Sequence, residues 1–179
     1  CLIHDNRENG AYFYNKGKGK FQDCSFSGNS LASVFIQSLG NPTFSQCRFN
    51  SGRGSLIIHD RGKGTFEKCE IFQNEFAGVE IREKGNPSLE DCRIYDGKSA
   101  GVFIYRNGAG TFKNCEIFAN QSAGIAIKQQ ANPKIISCKV YENRENGIEV
   151  FDQGKGVFQN CDIYSNRGSG IKIAHQGDP

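Results

Sequence analysis

The stretch Gly62–Lys84 reads GKGTFEKCEIFQNEFAGVEIREK, and Gly85–Asn107 directly after it reads GNPSLEDCRIYDGKSAGVFIYRN. Aligned on cysteine, the two segments are the same unit written twice. The pattern extends in both directions. Cysteines stand at 1, 24, 47, 69, 92, 115, 138 and 161, at intervals of 23 except for one of 22 between Cys47 and Cys69. A fixed period of roughly 20–50 residues marks a solenoid, a propeller or an array. The chain must therefore be read in columns of equivalent residues.

Three residues before each cysteine stands Phe21, Phe44, Phe66, Leu89, Phe112, Ile135 or Phe158, and two after it Ile3, Phe26, Phe49, Ile71, Ile94, Ile117, Val140 or Ile163. Further on, an alternating segment recurs, as in Val79-x-Ile81, Val102-x-Ile104, Ile125-x-Ile127 and Ile148-x-Val150. Alternation of β-branched residues with period two predicts half-buried strands, two or three in each coil. Glycine opens seven coils, from Gly17 to Gly177, with Ala131 in the eighth. Two residues later glycine and proline alternate from coil to coil, from Gly19 and Pro42 to Gly156 and Pro179. Both are turn formers. Five residues after cysteine stands Asn6, Asn29, Asn74, Asn120, Asn143 or Asn166, with Gly52 and Gly97 in the other two coils. This column is expected to take the left-handed conformation and to bond its equivalents in an asparagine ladder. No window carries a helical stripe, and a propeller blade needs about 40 residues. The prediction is an all-β chain, a right-handed parallel β-helix of about eight coils forming one domain over 1–179, roughly 35–40 Å long. The 22-residue interval reads as a one-residue deletion near Gly52–Ser55.

With 22 Lys and Arg against 19 Asp and Glu, the net charge of +3 gives little drive toward nucleic acid. No apolar run is long enough for a membrane span. The chain has no Met and begins and ends inside a coil, so a longer protein with other domains is expected. The cysteine column reads as a stack of buried thiols rather than a disulfide scaffold, because parallel stacked side chains suit disulfide geometry poorly. Unpaired thiols imply a reducing, cytoplasmic location, with secreted or periplasmic as the alternative. No C-x-x-C occurs, and neither a metal site nor a cofactor is expected.

The [GA]-x-P and GxG alternation, the aliphatic-x-x-Cys-x-aliphatic core, the Asp96-Gly97 or Asn120 turn and the Gly-aliphatic-x-aliphatic strand resemble the pectate-lyase-like carbohydrate-binding and sugar-hydrolysis (CASH) repeats. These occur in NosD-type periplasmic proteins and in the β-helix of an F-box ubiquitin-ligase subunit. The resemblance covers the whole chain, although the family's pattern often has Asn where this chain has Cys. It implies a β-helix and, for function, glycan binding or cleavage, protein-substrate recognition or assistance in metal-cofactor assembly.

Individual function is expected where columns break the repeat. The outward columns of the alternating strand bring together His59, Asp60, Glu80, Arg82, Glu83, Tyr105 and Arg106. Asp60 and Glu83 would stack about 5 Å apart, near the carboxylate separation of a retaining glycosidase. Arg82 or Arg106 would hold an acidic sugar or act as the base for β-elimination. The same residues also read as a solvated charge ladder. Tyr12, Tyr14, Phe35, Ile57, Phe103, Tyr105 and Phe151 on this face suit a partner surface. The column Phe72, Tyr95, Phe118, Tyr141 and Tyr164 reads as structural stacking. The preferred reading is a non-catalytic recognition module holding a protein partner or an extended ligand through Phe35, Ile57, His59, Glu80, Phe103, Tyr105 and Arg106. The alternative is a carbohydrate-active enzyme, a polysaccharide lyase or glycoside hydrolase with Asp60, Glu83 and Arg82 as catalytic candidates, or a glycan-binding module.

Overall fold

The structure, a computed structural model, describes all residues from Cys1 to Pro179. It is a parallel β-solenoid without helices. The fifth coil shows the plan: Ser88–Glu90, Arg93–Tyr95 and Val102–Ile104 are three short strands separated by tight corners. Equivalent strands pair in parallel, one coil above the other. The first sheet runs from Leu2–His4 to Asp162–Tyr164 with eight strands, the second from Ala11–Phe13 to Ile171–Ile173 with eight, and the third from Lys20–Gln22 to Val157–Gln159 with seven. Seven coils thus carry all three strands, one fewer than the number of cysteines, because the first coil has only two. The register is the sequence period: Ile71 pairs with Ile94, Leu89 with Phe112 and Val79 with Val102. Across the deletion Phe49 pairs with Ile71 and Ala32 with Gly54, so the missing residue is absorbed without a slip of face. The two flanking strands of the second sheet, Ala32–Ile36 and Gly54–Ile58, are longer than their equivalents, at five residues each.

The inward columns form one continuous core of 31 buried residues. Phe44 and Phe66 stack with ring centroids 5.0 Å apart. All eight cysteines are free thiols, and six are buried. Each inner thiol donates to carbonyls rather than to another sulfur: Cys92 Sγ lies 3.4 Å from Phe66 O and 3.3 Å from Glu90 O. The thiol thus behaves as a small apolar side chain whose weak donor is satisfied by the corner.

The asparagine ladder forms, but it does not supply the left-handed residues. Positive φ falls one residue earlier, at Gln73, Asp96, Ala119 and Glu142, with φ between 54° and 55°. Non-glycine residues also take it before cysteine, as at Lys68, Asp91 and Asn114. At the corner between the second and third sheets two consecutive residues have positive φ: Asp60-Arg61, Glu83-Lys84 and Arg106-Asn107 lie between 43° and 63°. Gly62 N donates to His59 O at 2.8 Å and Gly85 N to Arg82 O at 2.9 Å, which closes a type I′ turn at each corner. The glycine that opens a coil is required by proximity: a Cβ at Gly85 would lie 2.6 Å from Ile58 O of the coil below. Where Ala131 replaces it, the turn bond lengthens to 3.2 Å.

Candidate functional site

The outer face of the second sheet carries large residues of changing chemistry from coil to coil. Tyr12, Phe35, Ile57, Glu80 and Phe103 follow one another in register along it. Tyr12 meets Phe35 edge-on at 5.4 Å and Tyr14 at 5.0 Å. Phe35 in turn meets the His59 ring at 5.0 Å. Beside these rings lies a groove of about 410 Å³, lined by Asn9, Tyr12, Leu31, Phe35, Arg53, Gly54, Ile57, Phe76 and Glu80. Leu31 and Phe76 project from the corner that precedes the strand, 48% and 54% exposed. The Arg53 guanidinium sits 5.7 Å from the Phe76 ring.

Sequence reasoning found Tyr12, Phe35, Ile57 and Glu80 but missed Leu31 and Phe76. A signal existed. Seven residues after cysteine the other coils carry Glu8, Gly54, Ser99, Ser122, Glu145 and Gly168, all small or polar, so the two apolar members stand out. Gly54, in the shortened coil, also lines the groove.

Above the groove the face becomes charged, and its groups are held by one another. Glu80 accepts a hydrogen bond from Tyr105 Oη at 2.8 Å and lies 3.1 Å from Arg82 Nε, a contact without hydrogen-bond alignment. Burial, followed by that bond to Glu80, pushes the Tyr105 phenol up to about 12. Glu83 gathers three cationic or potentially cationic neighbours: His59 Nδ1 at 3.4 Å, Arg82 Nη1 at 3.4 Å and Arg106 Nη1 at 3.6 Å. Asp60 instead accepts from Ser38 Oγ at 2.8 Å, with Arg61 Nε at 3.8 Å. The expectation that Asp60, Glu83 and Arg106 are strand residues is corrected. All three occupy the first left-handed position of the corner turn. Each carboxylate is therefore aimed by its own turn, toward different partners. His59 is 14% exposed, and its Nε2 has no hydrogen-bond partner in the protein. Farther along, Phe103 and Tyr105 stack at 4.7 Å, and Lys128 Nζ lies 5.2 Å from the Phe103 ring.

The outer face of the first sheet is regular by contrast. Phe72, Tyr95, Phe118, Tyr141 and Tyr164 stack with centroids 4.9–5.2 Å apart and planes within 6°. Their flat faces are consumed by one another. Beside them Arg48, Glu70, Arg93, Glu116 and Lys139 alternate in sign, with contacts from 3.2 to 3.6 Å. The charge ladder considered for the second sheet is thus realised most regularly on the first. Burial raises the Tyr95 and Tyr141 phenols.

Comparison with known proteins supplies the family. Among solved structures, the mannuronan C-5 epimerase AlgE4 A-module of Azotobacter vinelandii superposes with a TM-score of 0.79 at 13% identity, over 99% of this chain and 55% of that one. The periplasmic alginate epimerase AlgG gives 0.73 at 10% identity, over 99% and 50%. Pectate lyase Pel9A gives 0.59 at 14% identity, over 99% and 69%. The chain thus spans about half the length of the two epimerases, and identities this low establish a shared fold. Comparison with curated proteins finds no match. The model of the family described as "Right handed beta helix region" matches residues 1–131 and, in a second alignment, 40–178. Together these alignments cover nearly the whole chain, which belongs to the right-handed β-helix family.

Proposed function

We propose that this chain is a non-catalytic recognition module that holds an extended polysaccharide strand across the outer face of the second sheet. The observation that carries the reading is the groove of about 410 Å³ walled by Tyr12, Leu31, Phe35, Ile57 and Phe76, which runs into the polar strip of Glu80, Arg82 and Tyr105 on the same face. Sugar rings present apolar C–H faces and a rim of hydroxyls. Aromatic and aliphatic walls with a few fixed polar groups match that chemistry. The superposed structures are a mannuronan C-5 epimerase, an alginate epimerase and a pectate lyase, each named for a polysaccharide, which favours a glycan over a protein partner.

Catalysis at Asp60 and Glu83 is disfavoured by their surroundings. An acid and a base must converge on one reacting atom. Here Asp60 is committed to Ser38 and Arg61, and Glu83 to His59, Arg82 and Arg106. The arginines that would hold a substrate carboxylate already share Glu83. A reducing location rests on the eight thiols, none in a disulfide.

The test is retention of the purified chain on immobilised neutral and acidic polysaccharides. Phe35→Ala and Phe76→Ala should each weaken retention roughly five- to thirtyfold, the range for losing a buried ring contact of about 1–2 kcal/mol. Asp60→Ala and Glu83→Ala should change it little. Retention that survives both aromatic changes and is lost with the carboxylates would overturn this assignment.

A further inference from the structure

The asparagine ladder has a break beside the one-residue deletion. Where asparagines are neighbours, each Nδ2 donates to the next Oδ1: Asn6 to Asn29 at 2.8 Å, Asn120 to Asn143 at 3.0 Å, Asn143 to Asn166 at 2.9 Å. The residue below Asn74 in this column is Gly52, five residues after Cys47. At the other glycine of the column Gly97 N reaches Asn120 Oδ1 at 3.1 Å, whereas Asn74 Oδ1 receives neither a carboxamide nor an amide from Gly52. Asn74 is 1% exposed, and this oxygen has no hydrogen-bond partner in the protein.

A second column borders the same rungs. A Cβ built at Gly101, Gly124 or Gly147 would lie 2.7–2.8 Å from Nδ2 of Asn120, Asn143 or Asn166, which is why glycine stands there. Two members of the column are serines, Ser33 and Ser55, both 0% exposed. Ser33 is tolerated because the rung that it faces is Gly52: a Cβ at Gly52 would lie 3.7 Å from Ser33 Oγ. Ser55 faces Asn74 instead, so here alone a Cβ stands opposite a ladder asparagine, and Asn74 does not make the bonds that its equivalents Asn120 and Asn143 make. The two serines lie opposite each other, bracketed by the pairs Ala32 with Gly54 and Val34 with Leu56. Neither hydroxyl has a hydrogen-bond partner in the protein. Three orphaned polar atoms therefore border the volume that an asparagine side chain fills elsewhere.

We propose that this break is a specific binding site for one water molecule, which stands in for the missing carboxamide. The Ser33 and Ser55 hydroxyls donate to it, and it donates to Asn74 Oδ1. Buried polar groups in native proteins are satisfied by protein or by ordered water, and two donors with one acceptor match the hydrogen-bonding capacity of water. A cation fits worse. The polar basin outside the break is lined by Arg53 and Lys98 against Glu75, so its charge opposes one. Arg53 lines both this basin and the apolar groove, which sets the break beside the proposed ligand face.

A high-resolution crystal structure of the whole chain tests this directly. The expected result is a single peak roughly 2.7–3.2 Å from Ser33 Oγ, Ser55 Oγ and Asn74 Oδ1. A peak at about 2.3–2.6 Å with six or more oxygen neighbours would be a cation and would overturn the proposal. So would the absence of a peak with the serine hydroxyls bonded to carbonyls. The Gly52→Asn variant supplies the missing amide. In it the peak should vanish, and amide exchange across residues 51–55 should slow roughly five- to tenfold, as for one direct hydrogen bond gained. A peak that persists beside the new side chain would place the water outside the rung and would refute its role.

Discussion

Asn143 and Asn74 occupy the same column of the ladder, and both are buried, at 0% and 1% exposure. Truncating each to alanine should nevertheless have very different effects. Asn143 Oδ1 accepts from Asn120 N at 3.1 Å and Asn120 Nδ2 at 3.0 Å. Its Nδ2 lies 3.3 Å from Ile117 O, 3.1 Å from Tyr141 O and 2.9 Å from Asn166 Oδ1. Two protons serve those three acceptors, so the side chain makes at most about four full hydrogen bonds. At about 1 kcal/mol net for each, Asn143→Ala should cost about 4 kcal/mol, and its partners would remain buried and unpaired. The Asn74 carboxamide oxygen has no protein partner at all. Asn74→Ala should cost about 1 kcal/mol or less, because exchanging a water-mediated contact for water is nearly neutral. Equilibrium urea unfolding of the two variants, with unchanged dependence on denaturant, measures the difference. Equal losses in the two variants would refute the claim that ladder bonds, rather than burial of the column, hold the corner.

Three further outcomes follow from the same geometry. Six of the eight cysteines are buried, so a thiol reagent should label exposed Cys1 quickly and Cys161 more slowly, leaving the six for unfolding to release. Fast labelling of Cys92 in the native chain would contradict the buried stack. The Tyr105 phenol, at about 12 in the folded chain and at its ordinary value of 10.0 when unfolded, holds its proton more tightly in the native state. Its contribution to stability is therefore complete below pH 10 and is lost as pH rises toward 12. Spectroscopic titration of the phenol should show this late ionisation, and Glu80→Gln should move it down. Phe66→Ala, at a position 0% exposed and stacked on Phe44, should cost about 3–5 kcal/mol by thermal or denaturant unfolding. A loss under about 1 kcal/mol would mean that the third-sheet column does not form the core.

The fold was legible because cysteine, the aliphatic columns and the 23-residue period are each dictated by packing against the coil above and below. The deletion at Gly52–Ser55 was legible for the same reason, since the neighbouring columns resume in register. The corners were not. Residues as ordinary as Lys68, Ala119 and Glu142 adopt positive φ because each coil must turn there and its neighbours hold the backbone in place. Tertiary context overrides the preference that had assigned this conformation to asparagine and glycine. The same reading placed Asp60 and Glu83 on the strand, whereas they lie in the turn, which decides where their carboxylates aim. The aromatic wall was found only in part, because Leu31 and Phe76 precede the alternating segment in sequence and join it in space through the corner. Tyr12, Phe35 and Ile57 lay in the strand itself and needed only period two.

The central claim is that the second-sheet face recognises a polysaccharide without transforming it. The most direct measurement is to incubate the chain with the polysaccharides that retain it and follow cleavage, unsaturated ends and epimerised residues over long times. The account predicts binding that depends on Phe35 and Phe76, and no product of any of the three kinds. Product formed by the native chain and abolished by Asp60→Ala with Glu83→Ala would contradict it and would establish an enzyme on this face.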